Sequence, residues 1–220
     1  MGHGPLSCRT DAARTGRSCL GMKLCMDVVD LYDWPSAGSE PAYAMVRAIA
    51  GKTLGLPLDR VPLIRPPRRA PRIDLPDCPI RFSLSHCQQR LLLAVTLFRD
   101  IGIDIEPSQR AIDIDALANC FMSKQERRQY AEAPSATRHV QGLQWWTRKE
   151  ALAKATGLGL DLPLRQFPLP ASPAPIDVVA NGPDAPYRIA DLDMGPDYLA
   201  SVACQSDASF TVRWTQAYAY

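Results

Sequence analysis

Asp104 and Glu106 stand two residues apart in the run Ile101-Gly102-Ile103-Asp104-Ile105-Glu106, and Glu150 follows Glu106 by 44 residues, four before Lys154. On a strand, alternate side chains share a face, so Asp104 and Glu106 converge while Ile103 and Ile105 turn to the core. On a helix, Glu150 and Lys154 are neighbours about 6 Å apart along the axis. Three crowded carboxylates repel one another unless a cation sits among them. Magnesium takes one or two carboxylates directly and completes its octahedron with water and phosphate oxygens, so lysines beside such a site point to a phosphate-bearing substrate. Taken singly, each motif also fits a plain surface: the exposed face of an edge strand, or a solvated Glu-Lys helix pair.

The elements that must position these groups are legible in outline. Leu24 to Tyr32 reads as a first strand. Tyr43, Val46, Ile49, Ala50 and Leu54 recur at helical spacing between Ser39 and Leu56. Residues 57–79 carry prolines at 62, 66, 67, 71, 76 and 79 with Arg65, Arg68, Arg69 and Arg72, an extended cationic connection without regular structure. Arg81 to Leu84 is a short strand; Leu91 to Phe98 and Ile101 to Glu106 read as a hairpin at the centre of the sheet. Ile114, Leu117, Ala118 and Phe121 form a helical stripe, Ser123 caps a second helix with Glu126 at its third position, and residues 136–156 form a third. Strand runs at 187–192, 198–204 and 209–217 close the chain. The repeated order of helix and strands implies an α+β fold of two similar halves, residues 22–106 and 107–220, behind a disordered leader at 1–21.

Bulk composition excludes several classes. Hydrophobic content of 46% with 22% charged residues is globular, and a net charge of +2 argues against broad nucleic-acid or membrane binding. At 220 residues the chain can bury roughly 70% of its unfolded surface. Seven cysteines without a Cys-x-x-Cys pair suggest free thiols in a reducing cytoplasm. No apolar run reaches membrane-span length, and no secretory signal opens the chain. There is no Walker-type phosphate loop and no G-x-S-x-G elbow.

Four segments in order, Phe82-Ser83-Leu84-Ser85-His86, Gly102 to Glu106, Phe121 to Glu126 and Trp146 to Leu160, resemble the signature of the Sfp-type 4'-phosphopantetheinyl transferases. The resemblance is close from about residue 65 to 165. It implies a pseudo-duplicated two-subdomain fold with the site between the halves. It also implies Mg2+-dependent transfer of the phosphopantetheine arm of coenzyme A to a serine of an apo acyl, polyketide or peptidyl carrier protein, releasing 3',5'-ADP, by a cytoplasmic monomer. A non-catalytic, carrier-binding relative of that fold is the rival reading.

Carried over by position, Asp104, Glu106 and Glu150 resemble the metal ligands, and Lys154, with Lys149 assisting, resembles the cation on the transferred phosphate. Glu150 is the first candidate for the base that deprotonates the serine, and Glu126 the second. Ser85 and His86 fall at the coenzyme-binding motif. A Gly-Lys-Pro common in the family is Arg69-Ala70-Pro71 here, which leaves Arg65, Arg68, Arg69 and Arg72 as candidates for gripping the 3'-phosphate. Trp145 and Trp146 read as core aromatics.

Overall fold

The computed structural model describes residues 28–35, 38–67, 70–171, 176–178, 186–206 and 210–216. The leader at 1–21, the start of the first strand, and Arg68 and Arg69 lie outside the described residues.

Two four-stranded sheets pack face to face, each covered by helix on its outer side. The first contains β1 (Val28–Pro35), β4 (Ile80–Cys87), β5 (Arg90–Leu97) and β10 (Thr211–Gln216), in the order β10-β1-β5-β4. The second contains β6 (Ile101–Pro107), β7 (Ile176–Val178), β8 (Tyr187–Leu192) and β9 (Tyr198–Gln205), in the order β6-β9-β8-β7. Helix α1 (Glu40–Leu54) covers the first sheet; α2 (Ile114–Phe121), α3 (Lys124–Glu132) and α4 (Ser135–Ala155) cover the second. The architecture is α+β.

β5 explains the layering. Leu91, Leu93 and Val95 join the cluster beneath α1, whereas Leu92 and Ala94 meet Ile101, Ile103 and Ile105 of β6 between the sheets. Both faces of this strand are therefore buried, each large aliphatic contributing about 1.5 to 3 kcal/mol. Its apolar run looks continuous for that reason.

That arrangement corrects the hairpin expected at 91–106. β5 pairs with β1 and β4, whereas β6 pairs antiparallel with β9 across nearly 100 residues of sequence, Ile101 facing Cys204 and Asp104 facing Ser201. Phe98, at φ 58°, turns the chain out of one sheet and into the other instead of folding it back. β5 and β6 belong to different sheets, and β10 returns from the end of the chain to pair parallel with β1. The proline-rich connection also holds more order than expected: Leu63–Ile64 (β2) and Arg72–Ile73 (β3) form a two-stranded ribbon.

Gly102 sets the distance between β6 and α4. A Cβ built there would lie 2.0 Å from the Ala151 carbonyl oxygen and 2.5 Å from the Ala155 nitrogen, both unyielding backbone atoms. The strand and helix touch directly, which brings Lys154 within reach of β6. Gly102→Ala should cost about 3 kcal/mol by overpacking and lower Tm by roughly 6 to 12 °C. A variant melting with the parent protein in calorimetry would refute that close approach.

Candidate active site

Ile103 and Ile105 point between the sheets, so Asp104 and Glu106 take the other face of β6, toward α4. Asp104 is 5% exposed. Its Oδ1 accepts from Ser85 Oγ at 2.9 Å and from Lys154 Nζ at 2.8 Å. Lys154 Nζ also donates to the Ile103 carbonyl at 3.0 Å. Asp104 Oδ2 is buried and accepts no hydrogen bond from the described residues. An orphaned carboxylate oxygen is costly in the interior and invites a ligand.

Glu106 and Glu150 complete the acidic cluster. Burial first, then repulsion from Asp104, pushes the pKa of each above the usual carboxylate range. Arg110, one turn of chain past Glu106, is ion-paired with it, and the Trp146 indole lies close enough to lower its pKa by hydrogen bonding. Lys154 and Arg110 pull against the rise in Glu150. Mutual repulsion among three acids, with one buried oxygen unpartnered, is what a divalent cation would relieve, so the residue set fits magnesium chemistry. Among the described residues no three His, Cys, Asp or Glu side chains are placed so that together they could hold a metal ion. Asp104 and Glu106 are engaged instead by Lys154 and Arg110.

Beside Lys154 opens a groove of about 440 Å³, between the end of α4 and the β3–β4 segment. Arg72, Arg81, Lys154, Thr156 and Gly157 are among its walls. Gly157 (φ 70°) ends α4 and opens the chain there. Arg81 sits on β4 and reaches Asp100 at 3.6 Å. The volume is that of a small-ligand site.

Other candidates from the sequence take different places. Ser85 joins the carboxylates, but His86 shares the parity of Phe82 and Leu84, on the α1 face of β4, and is exposed. Arg72 lines the groove and pairs with Asp74. Arg65 instead lies over the Tyr43 ring at 4.7 Å and pairs with Glu40 on α1.

Glu126 and Lys149 do not face the acidic cluster. Both are 0% exposed and bonded to each other at 2.7 Å. Glu126 closes the Ser123 capping box and accepts from the Leu169 amide at 2.8 Å. Lys149 spends its remaining N–H donors on the Phe121 and Leu164 carbonyls. A serine could not reach this carboxylate, and a phosphate could not reach this ammonium. The pair ties α3 and α4 to the 164–169 segment.

Trp145 is core, its indole donating to the Leu169 carbonyl at 3.1 Å. Trp146 is not merely core: edge-on to Phe121, it also approaches Glu106. The sequence held the signal, because Trp146 is one helical turn before Glu150 and so shares its face. Arg110 and Arg81 were missed as well. They sit next to the motif residues without belonging to any motif.

Residues 100–203 match the sequence profile of the 4'-phosphopantetheinyl transferase superfamily. A stretch of 118 residues is 32% identical to the 4'-phosphopantetheinyl transferase HetI of Nostoc sp. (strain PCC 7120), covering 53% of this chain and 50% of that protein. The chain thus aligns with about half the length of this curated relative. The profile match takes in β6 with Asp104 and Glu106, α4 with Glu150 and Lys154, and most of β9. Over that segment, the chain is similar to the 4'-phosphopantetheinyl transferase superfamily.

Proposed function

We propose that this protein transfers the 4'-phosphopantetheine group of coenzyme A to a serine of an apo carrier protein and releases 3',5'-ADP. The observation that carries the reading is the buried Asp104 carboxylate, with one oxygen held by Lys154 and Ser85, the other without a partner, and Glu106 and Glu150 in its field. Asp104, Glu106 and Glu150 would hold Mg2+. Bound there, the ion would neutralise the acids and draw negative charge from the pyrophosphate oxygens.

The chain's own groups supply the rest. The groove receives the nucleotide end of coenzyme A, where Arg72 and Arg81 would exchange Asp74 and Asp100 for its 3'-phosphate. Lys154 stands between that groove and Asp104, placed to pair with the phosphate under attack as its charge develops. The acceptor serine's Oγ forms a bond to the phosphorus bearing the pantetheine arm, while the P–O bond to the departing 3',5'-ADP breaks. Glu150 takes the serine proton, directly or through water. Positioning of the two reactants accounts for much of the remaining acceleration. A monomer in the cytoplasm is the expected form. Retention of all three acids and Lys154 speaks against a non-catalytic carrier-binding role.

Purified protein incubated with Mg2+, coenzyme A and a panel of apo acyl, polyketide and peptidyl carriers should convert at least one to the holo form, seen as a mass increase on the intact carrier. No conversion of any carrier, with a control transferase active on all, would overturn the reading.

A further inference from the structure

Among the described residues, Arg110 is the cation beside the acids that neither the motif nor the groove accounts for. Its guanidinium is ion-paired with Glu106, and its field reaches Glu150 and Cys87 as well. Two features separate it from an ordinary structural pair. First, the turn that carries it is fixed without its side chain: Ser108 donates from its backbone to the Asp197 carbonyl at 2.8 Å, Arg110 to Pro107 at 2.9 Å, and Ile112 to Arg110 at 2.9 Å. Second, the side chain is 37% exposed, whereas Glu106 is 13% exposed, so the arginine can leave into water and the carboxylate cannot. Lys154, by contrast, is tied to the Ile103 carbonyl as well as to Asp104.

A divalent ion bound by Glu106 would sit against this guanidinium. Like charges at such range repel, so the ion must displace the arginine or bind weakly. The displaced guanidinium would then need an anion, and the pyrophosphate of the substrate is the nearest one the chemistry offers. Resting on the transferase reading above, we infer that Arg110 is a built-in competitor for the metal site. It holds Glu106 while no divalent ion is bound and passes to the substrate's phosphates when one is, so that metal and coenzyme A bind as a coupled pair. Coupling of this kind is reciprocal: each ligand tightens the other by the same factor.

Mn2+ binding to the full-length protein, followed by the electron paramagnetic resonance signal of the free ion, tests this apart from turnover. Without coenzyme A, Arg110→Gln should bind Mn2+ about fivefold more tightly than the parent, as loss of a half-exposed competing ion pair implies. Added coenzyme A should tighten Mn2+ less in Arg110→Gln than in the parent, and Arg110→Lys should behave like the parent. A Gln variant that binds Mn2+ no tighter than the parent, or that shows an unchanged gain from coenzyme A, would overturn the inference while leaving the metal site standing. Absence of Mn2+ binding in the parent protein would overturn both. Thermal melting of each variant shows that the fold persists, as the backbone-held turn requires.

Discussion

Asp104→Asn should lower the rate of holo-carrier formation by about 10³-fold or more, because a divalent ion bound through this carboxylate supplies several kcal/mol of charge stabilisation. Asparagine matches aspartate in shape, so the variant isolates charge from packing. Lys154 keeps its bond to the Ile103 carbonyl and, being 29% exposed, remains partly hydrated. The asparagine Oδ1 can still accept from Ser85 and Lys154, and a neutral amide in place of the carboxylate relieves the repulsion among the three acids, which offsets part of the lost ion pair. Stability should therefore stay within about 1 kcal/mol of the parent, a Tm change of a few degrees. Mn2+ binding should vanish together with turnover. An Asn variant that keeps more than about one tenth of the parent rate would remove Asp104 from the reaction, since no charge role worth over 1.4 kcal/mol could then be assigned to it.

The same strand shows how far the sequence carried. The alternation at 103–106 told correctly which side chains turn inward, because a period of two is a local property of any strand. Helix caps were legible for a similar reason: Ser123 and Glu126 lie three residues apart and bond to each other's backbone. The partner of β6 was not legible. It comes from β9, and nothing in Phe98-Arg99-Asp100 distinguishes a turn between two strands of one sheet from a step between two sheets. β5 shared the problem from the other side, since burial on both faces erases the polar alternation that would have revealed its orientation.

Within the site, the acids and Lys154 were readable from spacing, but the directions of adjacent helical residues were not fully used. Successive residues on α4 point about 100° apart, so Lys149 and Glu150 cannot serve one cluster equally. Glu150 faces the acids, and Lys149 faces α3. Motif membership had joined what helix geometry separates. The same geometry would have recovered Trp146, one turn from Glu150.

Lys149→Ala should be the most destabilising change near the site. Burial drives the pKa of this lysine down, and Glu126 opposes the shift, so the ammonium is held by its partner and by two carbonyls. Truncation leaves the Glu126 carboxylate, itself 0% exposed, without its counter-charge and strips the Phe121 and Leu164 carbonyls of a donor. Breaking one side of a buried pair costs about 3 to 5 kcal/mol, which for a chain of this size lowers Tm by roughly 6 to 20 °C. Turnover should fall with it, because the same bonds set α4, and hence Glu150 and Lys154, against β6. Glu126→Gln combined with Lys149→Met removes both charges at nearly constant volume and should recover part of the loss; the non-additivity measures the coupling within the pair. Should Lys149→Ala melt within a degree of the parent yet lose coenzyme A binding, the ammonium would belong to the substrate site after all, and the buried bridge would not be what holds α3 to α4.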